Sequence, residues 1–385
     1  MGKGFPVGHG DRGSGAVNEY SRGLANHCRE CSPISFTGLR DEPRPLGKNP
    51  TKAWSSTPIA SESWQDDITD TTLEGALPAA FKKALNELYV VPLANVNVVL
   101  VAAYYRSGSS FFGELLSTGP RTFFHYEPLQ LFSKPGRIRP GRQRDVLRLL
   151  DQLVRCRMQN VPLYTAWLES RKSYKHNLFL VSLCGNTTSC SSPSHVAALC
   201  SRAQTQVFKF TRLHIAQVAA WIKRNTDIAH NVRVVHLVRD PRGIYASRSA
   251  LRWCAKHEEC RSFEFLCSQM RKDIEDFRNL TDKLSSSRTV TVRFEDLAGN
   301  PYKEAPRLFS HLGLKYGRSV VSYLQNHTVS NKNDVKNPYS TRRNTSAITD
   351  HWKSKLSATI IDKVERACGD VMRKLGYKLV TAQTG

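Results

Sequence analysis

The sequence predicts an α/β protein, a mostly parallel, P-loop-like sheet flanked by helices, following an N-terminal segment that has no core of its own. Three observations predict it. Short apolar runs alternate along the chain with stretches of helical spacing, the order that builds parallel sheets covered on both faces. The first run, Val96-Asn-Val-Val-Leu-Val-Ala-Ala103, is nearly continuous, as in a strand buried on both sides. It leads directly into a small polar turn and then a helical pattern, an arrangement suited to holding an anion.

Residues 1–85 are rich in Gly, Ser, Pro, Asn and charge, with isolated Trp54 and Trp64 and no sustained apolar period, and are expected to form a flexible stem or tail. Residues 86–385 are expected to form one folded domain. Strands are expected at 96–103, 178–183, 206–210, 232–238 and 289–293. Helices are expected near 109–118, 143–157, 212–224, 242–250, 262–284, 302–312 and 356–374. With 40% hydrophobic and 23% charged residues over 385 positions, the chain is rich enough in apolar side chains to build a core.

Charge and cysteine usage narrow the function classes. Lys and Arg total 56 against 33 Asp and Glu, a net +23, which suits a polyanionic partner: nucleic acid, anionic lipid, a phosphorylated cofactor or a sulfated glycan. Eight of the ten cysteines (Cys156, Cys184, Cys190, Cys200, Cys254, Cys260, Cys267 and Cys368) fall in the folded part, the usage of an oxidising compartment. Eight cysteines admit 105 pairings, and spacing does not choose among them. Only Cys28-x-x-Cys31 has zinc-ligand spacing and no second pair completes it, so no metal site is expected. Sequons at Asn186, Asn279, Asn326 and Asn344 agree with a lumenal chain. No run of about 18 apolar residues occurs, so a membrane anchor would lie outside this sequence.

After the first strand comes Tyr105-Arg106-Ser107-Gly108-Ser109-Ser110-Phe111. The opening N–H groups of a helix have no internal partner and carry the positive end of its dipole, so a phosphate fits there. Gly108 permits close approach, Ser107, Ser109 and Ser110 offer hydroxyls, and Arg106 adds a permanent cation. The loop lacks the G-x-x-x-x-G-K-[ST] pattern of a nucleoside-triphosphate loop, which argues against a nucleotide phosphotransferase. A second strand ends in Val235-His-Leu-Val-Arg239-Asp240-Pro241-Arg242, with Ser247 in the helix that Pro241 opens. Arg239 stands at the carboxyl edge of that strand, where open α/β sheets bind ligands. The competing reading of Arg239 and Asp240 is a local ion pair at a strand end.

These two segments, with Tyr126-Glu-Pro-Leu129, Val292-Arg-Phe-Glu-Asp-Leu297, Asn300-Pro301, Arg343-Asn-Thr-Ser346, Trp352 and the ending Cys368 to Tyr377, resemble those of Golgi carbohydrate sulfotransferases. The closest group is the galactose/N-acetylglucosamine/N-acetylgalactosamine 6-O-sulfotransferases. The resemblance implies the sulfotransferase fold, 3′-phosphoadenosine 5′-phosphosulfate (PAPS) as co-substrate without a metal, and a glycan acceptor, with no nucleic acid as partner. It also implies residence in the Golgi lumen. It places Arg106, Ser107, Gly108, Ser109 and Ser110 at the 5′-phosphosulfate and Arg239 with Ser247 at the 3′-phosphate. Glu127 is expected to take the proton of the acceptor hydroxyl, with His125 as the competing base, and Arg106 to act electrostatically on the bridging oxygen. Glu295 and Asp296 are expected to cap or pair locally, and Trp352 with Arg342 and Arg343 to close over the nucleotide. A non-catalytic glycan-binding protein is the alternative from another class.

Overall fold

The computed structural model describes residues 79–132, 136–185 and 188–380. The expected stem up to residue 78, Cys28, Cys31, Trp54, Trp64 and the sequon Asn186 lie outside the described residues. The five strands are β1 (Asn97–Ala102), β2 (Thr122–Tyr126), β3 (Thr205–Phe210), β4 (Val232–Val238) and β5 (Thr289–Arg293). All pair in parallel in the order β2-β3-β1-β4-β5. The helices of eight residues or more are α1 (Ala79–Asn86), α2 (Ser109–Ser117), α3 (Gln143–Val154), α4 (Pro162–Arg171), α5 (Pro193–Cys200), α6 (Ile215–Arg224), α7 (Pro241–Ser249), α8 (Phe263–Leu284), α9 (Pro301–His311), α10 (Arg318–His327) and α11 (Ala358–Lys374).

Alternation along β1 divides the interior. Val98, Leu100 and Ala102 face a core shared with Val146, Leu150 and Leu153 of α3 and Val218 of α6. Val99 and Val101 face a second core, built with Phe112 and Leu115 of α2 and Leu308 and Phe309 of α9. The near-continuous apolar run of β1 therefore has the cause expected of it, burial on both faces. A third cluster joins α8 to α11 through Met270, Val364 and Met372, cross-linked by Cys267–Cys368. The other bridges are Cys156–Cys200, Cys184–Cys190 and Cys254–Cys260. All eight cysteines assigned to the folded part are paired.

One expected strand is wrong. Residues 178–183 lie in a short helix, Leu178–Cys184, whose start is capped by the Asn177 side chain accepting from the Leu180 amide at 3.1 Å. Phe179, Leu180, Val181 and Leu183 are buried in the first core, and an apolar run of that length cannot by itself distinguish a buried strand from a buried helix. The edge strand at 122–126 was not foreseen. Its run Thr-Phe-Phe-His-Tyr is short, and its pairing with β3 is a non-local event. Helices α1, α4, α5 and α10 were also not expected. In α1, Phe81 and Leu85 are buried in the first core.

Candidate functional site

The turn after β1 is fixed by its own packing. Phe112, Leu115 and Leu116 of α2 are fully buried, each worth about 1.5–3 kcal/mol, and they seat the start of the helix at the carboxyl edge of the sheet. Gly108 precedes α2 with φ +84°, and a Cβ there would lie 2.3 Å from the Phe294 ring, so the position admits only glycine. Arg106, with φ +68°, also holds a left-handed backbone, a conformation that non-glycine residues adopt at a cost.

Because β1 and β4 are neighbours, with Ala102 beside His236, the two motifs meet. Arg106 Nε donates to Ser247 Oγ at 3.0 Å, and an Arg239 guanidinium nitrogen donates to the Arg106 carbonyl at 2.9 Å. Arg106 also donates to the Pro338 carbonyl. Asp240 does not pair with Arg239. It caps α7 through the Arg242 amide and binds the Arg242 guanidinium at 2.6 Å, and Glu365 holds the other side of Arg242.

Arg239 is left with carbonyl acceptors only, from Arg106 and from Ile348 at 3.4 Å, and its buried Nε has no hydrogen-bond partner among the described residues. Arg248, one residue past Ser247, donates to the carbonyls of Tyr105 at 3.1 Å and Cys260 at 3.2 Å. Burial and the neighbouring arginines push Arg106 down to about 10 and Arg248 down to about 9, and burial lowers Arg239. All three stay charged at neutral pH. Among the described residues, none of the three has a carboxylate within ion-pair distance. Burying a cation that no carboxylate pairs directly is costly, even with Glu295 and Asp240 acting on Arg239 at longer range, and the cost is offset when an anion enters. The site is thus electrostatically incomplete and suits a multiply charged anion.

The serines divide. Ser107 is fully buried and its hydroxyl is spent on the Tyr104 carbonyl at 2.8 Å, inside the turn. Ser110 Oγ faces Lys209 Nζ at 3.2 Å and the Tyr126 hydroxyl at 3.3 Å. Ser109 is buried at the first position of α2.

Glu127 follows β2, and its carboxylate pairs with Lys209 on the neighbouring strand and Arg212 just after it rather than with Arg106. Lys209 Nζ lies 3.0 Å from Oε1 and Arg212 2.7 Å from Oε2, while the Thr211 hydroxyl donates at 2.8 Å. Burial raises its carboxyl, but Lys209 and Arg212 outweigh burial and hold it below the ordinary carboxylate value. Burial lowers Lys209, and Glu127 more than compensates. Glu127 also has a left-handed backbone, φ +47°. Lys209, Thr211 and Arg212, on and just after β3, were missed in the sequence. The available signal was a lysine inside the apolar run Gln-Val-Phe-Lys-Phe. A buried lysine in such a strand requires an anion.

His125 is not available as a base. It is fully buried, stacked on Phe208 with ring centres 4.1 Å apart, and burial lowers it to about 3. Glu295 accepts from the Asp240 amide at 2.9 Å and the Tyr377 hydroxyl at 2.8 Å, the local structural role expected for it. Trp352 packs against the second motif. It is buried with its ring 4.0 Å from the Arg242 guanidinium. The described sequons Asn279, Asn326 and Asn344 are exposed.

Residues 97–376 match the sulfotransferase domain model. Carbohydrate sulfotransferase 1 of Danio rerio is 28% identical over 336 residues, spanning 74% of this chain and 78% of its own. Carbohydrate sulfotransferase 2 of Homo sapiens is 26% identical, spanning 74% and 66%. Among solved structures, the sulfotransferase domain of the Synechococcus PCC 7002 olefin synthase aligns with TM-score 0.44 and 16% identity over 74% of this chain and 96% of that one. With the domain model covering β1 through the end of α11, this chain belongs to the sulfotransferase family.

Proposed function

We propose that this protein transfers a sulfuryl group from PAPS to a sugar hydroxyl, the 6-hydroxyl of N-acetylglucosamine or galactose in glycoprotein, keratan-like or chondroitin-like glycans. The observation that carries this reading is the set of three arginines, the buried Arg239 and Arg248 and the half-buried Arg106, held by carbonyls and a serine hydroxyl. An anion-binding pocket of this kind is what a phosphosulfate donor requires. The sugar acceptor is supported by the relatives named carbohydrate sulfotransferases.

PAPS supplies the activated sulfuryl group. Arg239 and Ser247 hold the 3′-phosphate, while Arg106, the start of α2 and the hydroxyls of Ser109 and Ser110 hold the 5′ end. Gly108 lets the backbone approach. Ser107 shapes the turn from within. Arg106 stays protonated and cannot act as a general acid, so it stabilises charge growing on the bridging oxygen. Lys209, against Ser110, is placed to neutralise the oxygens of the moving group. Glu127 takes the acceptor proton. Its carboxyl is a weak base, which suffices because an alcohol becomes strongly acidic as its oxygen bonds to sulfur.

Four disulfides and three exposed sequons support a lumenal, Golgi setting. No helix among the described residues is long and apolar enough to cross a membrane. The test is calorimetry with PAP, the desulfated product, followed by labelled PAPS offered with a panel of glycans. A folded protein that binds no PAP would sink the reading. Binding without transfer to any glycan would favour the non-catalytic alternative.

A further inference from the structure

Tyr126 is the last residue of β2, one position before Glu127. Its hydroxyl lies 3.3 Å from Ser110 Oγ, while Lys209 Nζ stands 3.2 Å from that same oxygen and 4.1 Å from the centre of the Tyr126 ring. Tyr126 is also close enough to act electrostatically on Arg106, the arginine assigned to the bridging oxygen. Two hydroxyls and an ammonium group thus converge at the start of α2. Tyr126 and Ser110 are half-buried, so a ligand reaches them from the cleft, and Lys209 is buried beside them.

The Tyr126 ring is itself held in place. His176, at the end of the short helix Ser173–His176, stacks on it with ring centres 3.7 Å and planes 13° apart. His176 Nδ1 lies 2.9 Å from Glu114 Oε1, and the other oxygen of that carboxylate accepts from the Tyr323 hydroxyl at 2.9 Å. Glu114 is buried on α2, where a carboxylate is costly unless its oxygens are satisfied. Satisfying it fixes the histidine that fixes the tyrosine.

We propose that Tyr126 is a further catalytic residue, whose hydroxyl joins Ser110 and Lys209 in binding the outer oxygens of the sulfuryl group in transit, and that His176, held by Glu114, is the positioning residue that aims it. This rests on the PAPS reading above. In the transfer, the bond from sulfur to the phosphate oxygen of PAPS breaks as the bond to the acceptor oxygen forms. PAP leaves with the electron pair, the acceptor proton goes to Glu127, and Tyr126 keeps its own proton. Fixed donors aimed at those oxygens act on the transition state more than on the ground state. PAP has no sulfuryl group, so its binding does not draw on Tyr126.

The experiment compares the intact protein with Tyr126→Phe, which removes one oxygen and keeps the stacked ring, with His176→Gln, and with the two combined. The control is Tyr164→Phe, whose buried ring lies in the first core and whose hydroxyl is 3.5 Å from His125 Nδ1. Calorimetry measures PAP binding and then the binding of vanadate, a mimic of the group in transit, to the PAP complex; kcat and KM are measured with the glycan that accepts sulfate. Tyr126→Phe should lower kcat by ~100-fold and weaken vanadate binding by ~10-fold or more, with PAP affinity and acceptor KM within about 3-fold of the intact protein. His176→Gln should lower kcat by about 10-fold and add nothing to Tyr126→Phe, because it acts through the same hydroxyl. Tyr164→Phe should change none of these. A Tyr126→Phe enzyme with kcat and vanadate binding within about 3-fold of normal would overturn the proposal. So would a fall in PAP affinity that matches the fall in kcat, the mark of a merely structural role, or additive losses in the double variant. An intact protein that binds PAP but sulfates no glycan would count against the acceptor reading and leave vanadate binding to decide the role of Tyr126. One that binds no PAP would overturn the donor reading and this proposal together.

Discussion

The Arg106 guanidinium donates from Nε to the Ser247 hydroxyl across 3.0 Å, so the turn after β1 and the helix after β4 meet in a single hydrogen bond. The contact exists because β1 and β4 are parallel neighbours whose carboxyl ends open on the same edge. A ligand with two anionic ends spanning these loops would meet Arg239 and Ser247 at one end and Arg106 at the other.

Removing Arg239 tests that geometry. Arg239→Ala deletes a buried cation that has no carboxylate partner among the described residues, so the folded protein should survive. PAP affinity should fall by ~10- to 150-fold, the worth of a charged hydrogen bond at about 1.5–3 kcal/mol. Calorimetry reads the loss directly. A variant with normal PAP affinity and slow turnover would move the 3′-phosphate elsewhere.

Glu127→Gln should leave PAP binding intact and lower turnover by ~100-fold, the scale of a lost general base. Because Lys209 and Arg212 hold the carboxyl below its ordinary value, the ionised form persists as pH falls through the usual carboxylate range. Both the rate and the stability contributed by this cluster should therefore hold above that range and decline only below it. A pH–rate profile shows where the acid limb lies, and a limb near neutrality would point to a different proton acceptor.

Gly108→Ala must both adopt φ +84° and bring a methyl group to 2.3 Å from the Phe294 ring. The left-handed backbone costs about 1–2 kcal/mol and overpacking about 1–3 kcal/mol more. Thermal unfolding should show the loss, and adding Phe294→Leu should recover the packing part alone. An unchanged melting temperature in the single variant would contradict the packing described for the turn.

The disulfides differ in what they close. Cys267–Cys368 spans 101 residues, whereas Cys184–Cys190 spans 6. Loop entropy assigns about 4–5 kcal/mol to the first and about 2 kcal/mol to the second. Replacing each pair with alanines and unfolding in denaturant should reproduce that order. A larger loss from the short bridge would show that local packing, and not the chain constraint, governs its worth.

The legibility of the sequence followed the locality of the cause. Strand β1 could be read because burial on both faces leaves a continuous apolar run, and α7 because Asp240 and Pro241 mark its start. The helix 178–184 was misread as a strand because both are apolar when buried, and the Asn177 cap that distinguishes them is a single side chain. Lys209 went unnoticed because its significance depends on Glu127, a residue 82 positions earlier (209 − 127).

Legible in the sequence were the α/β class, the strand–turn–helix at Arg106–Ser110, the strand-end segment at Arg239–Ser247 and the cysteine-rich folded part, since each is written in contiguous residues or in composition. Three-dimensional packing was needed to bring these motifs to one edge, to give Asp240 to Arg242 rather than Arg239, to hold Glu127 between Lys209 and Arg212, and to pair the cysteines. Those outcomes depend on strand order and on which buried charges end up as neighbours, and neither is encoded in any local run of residues.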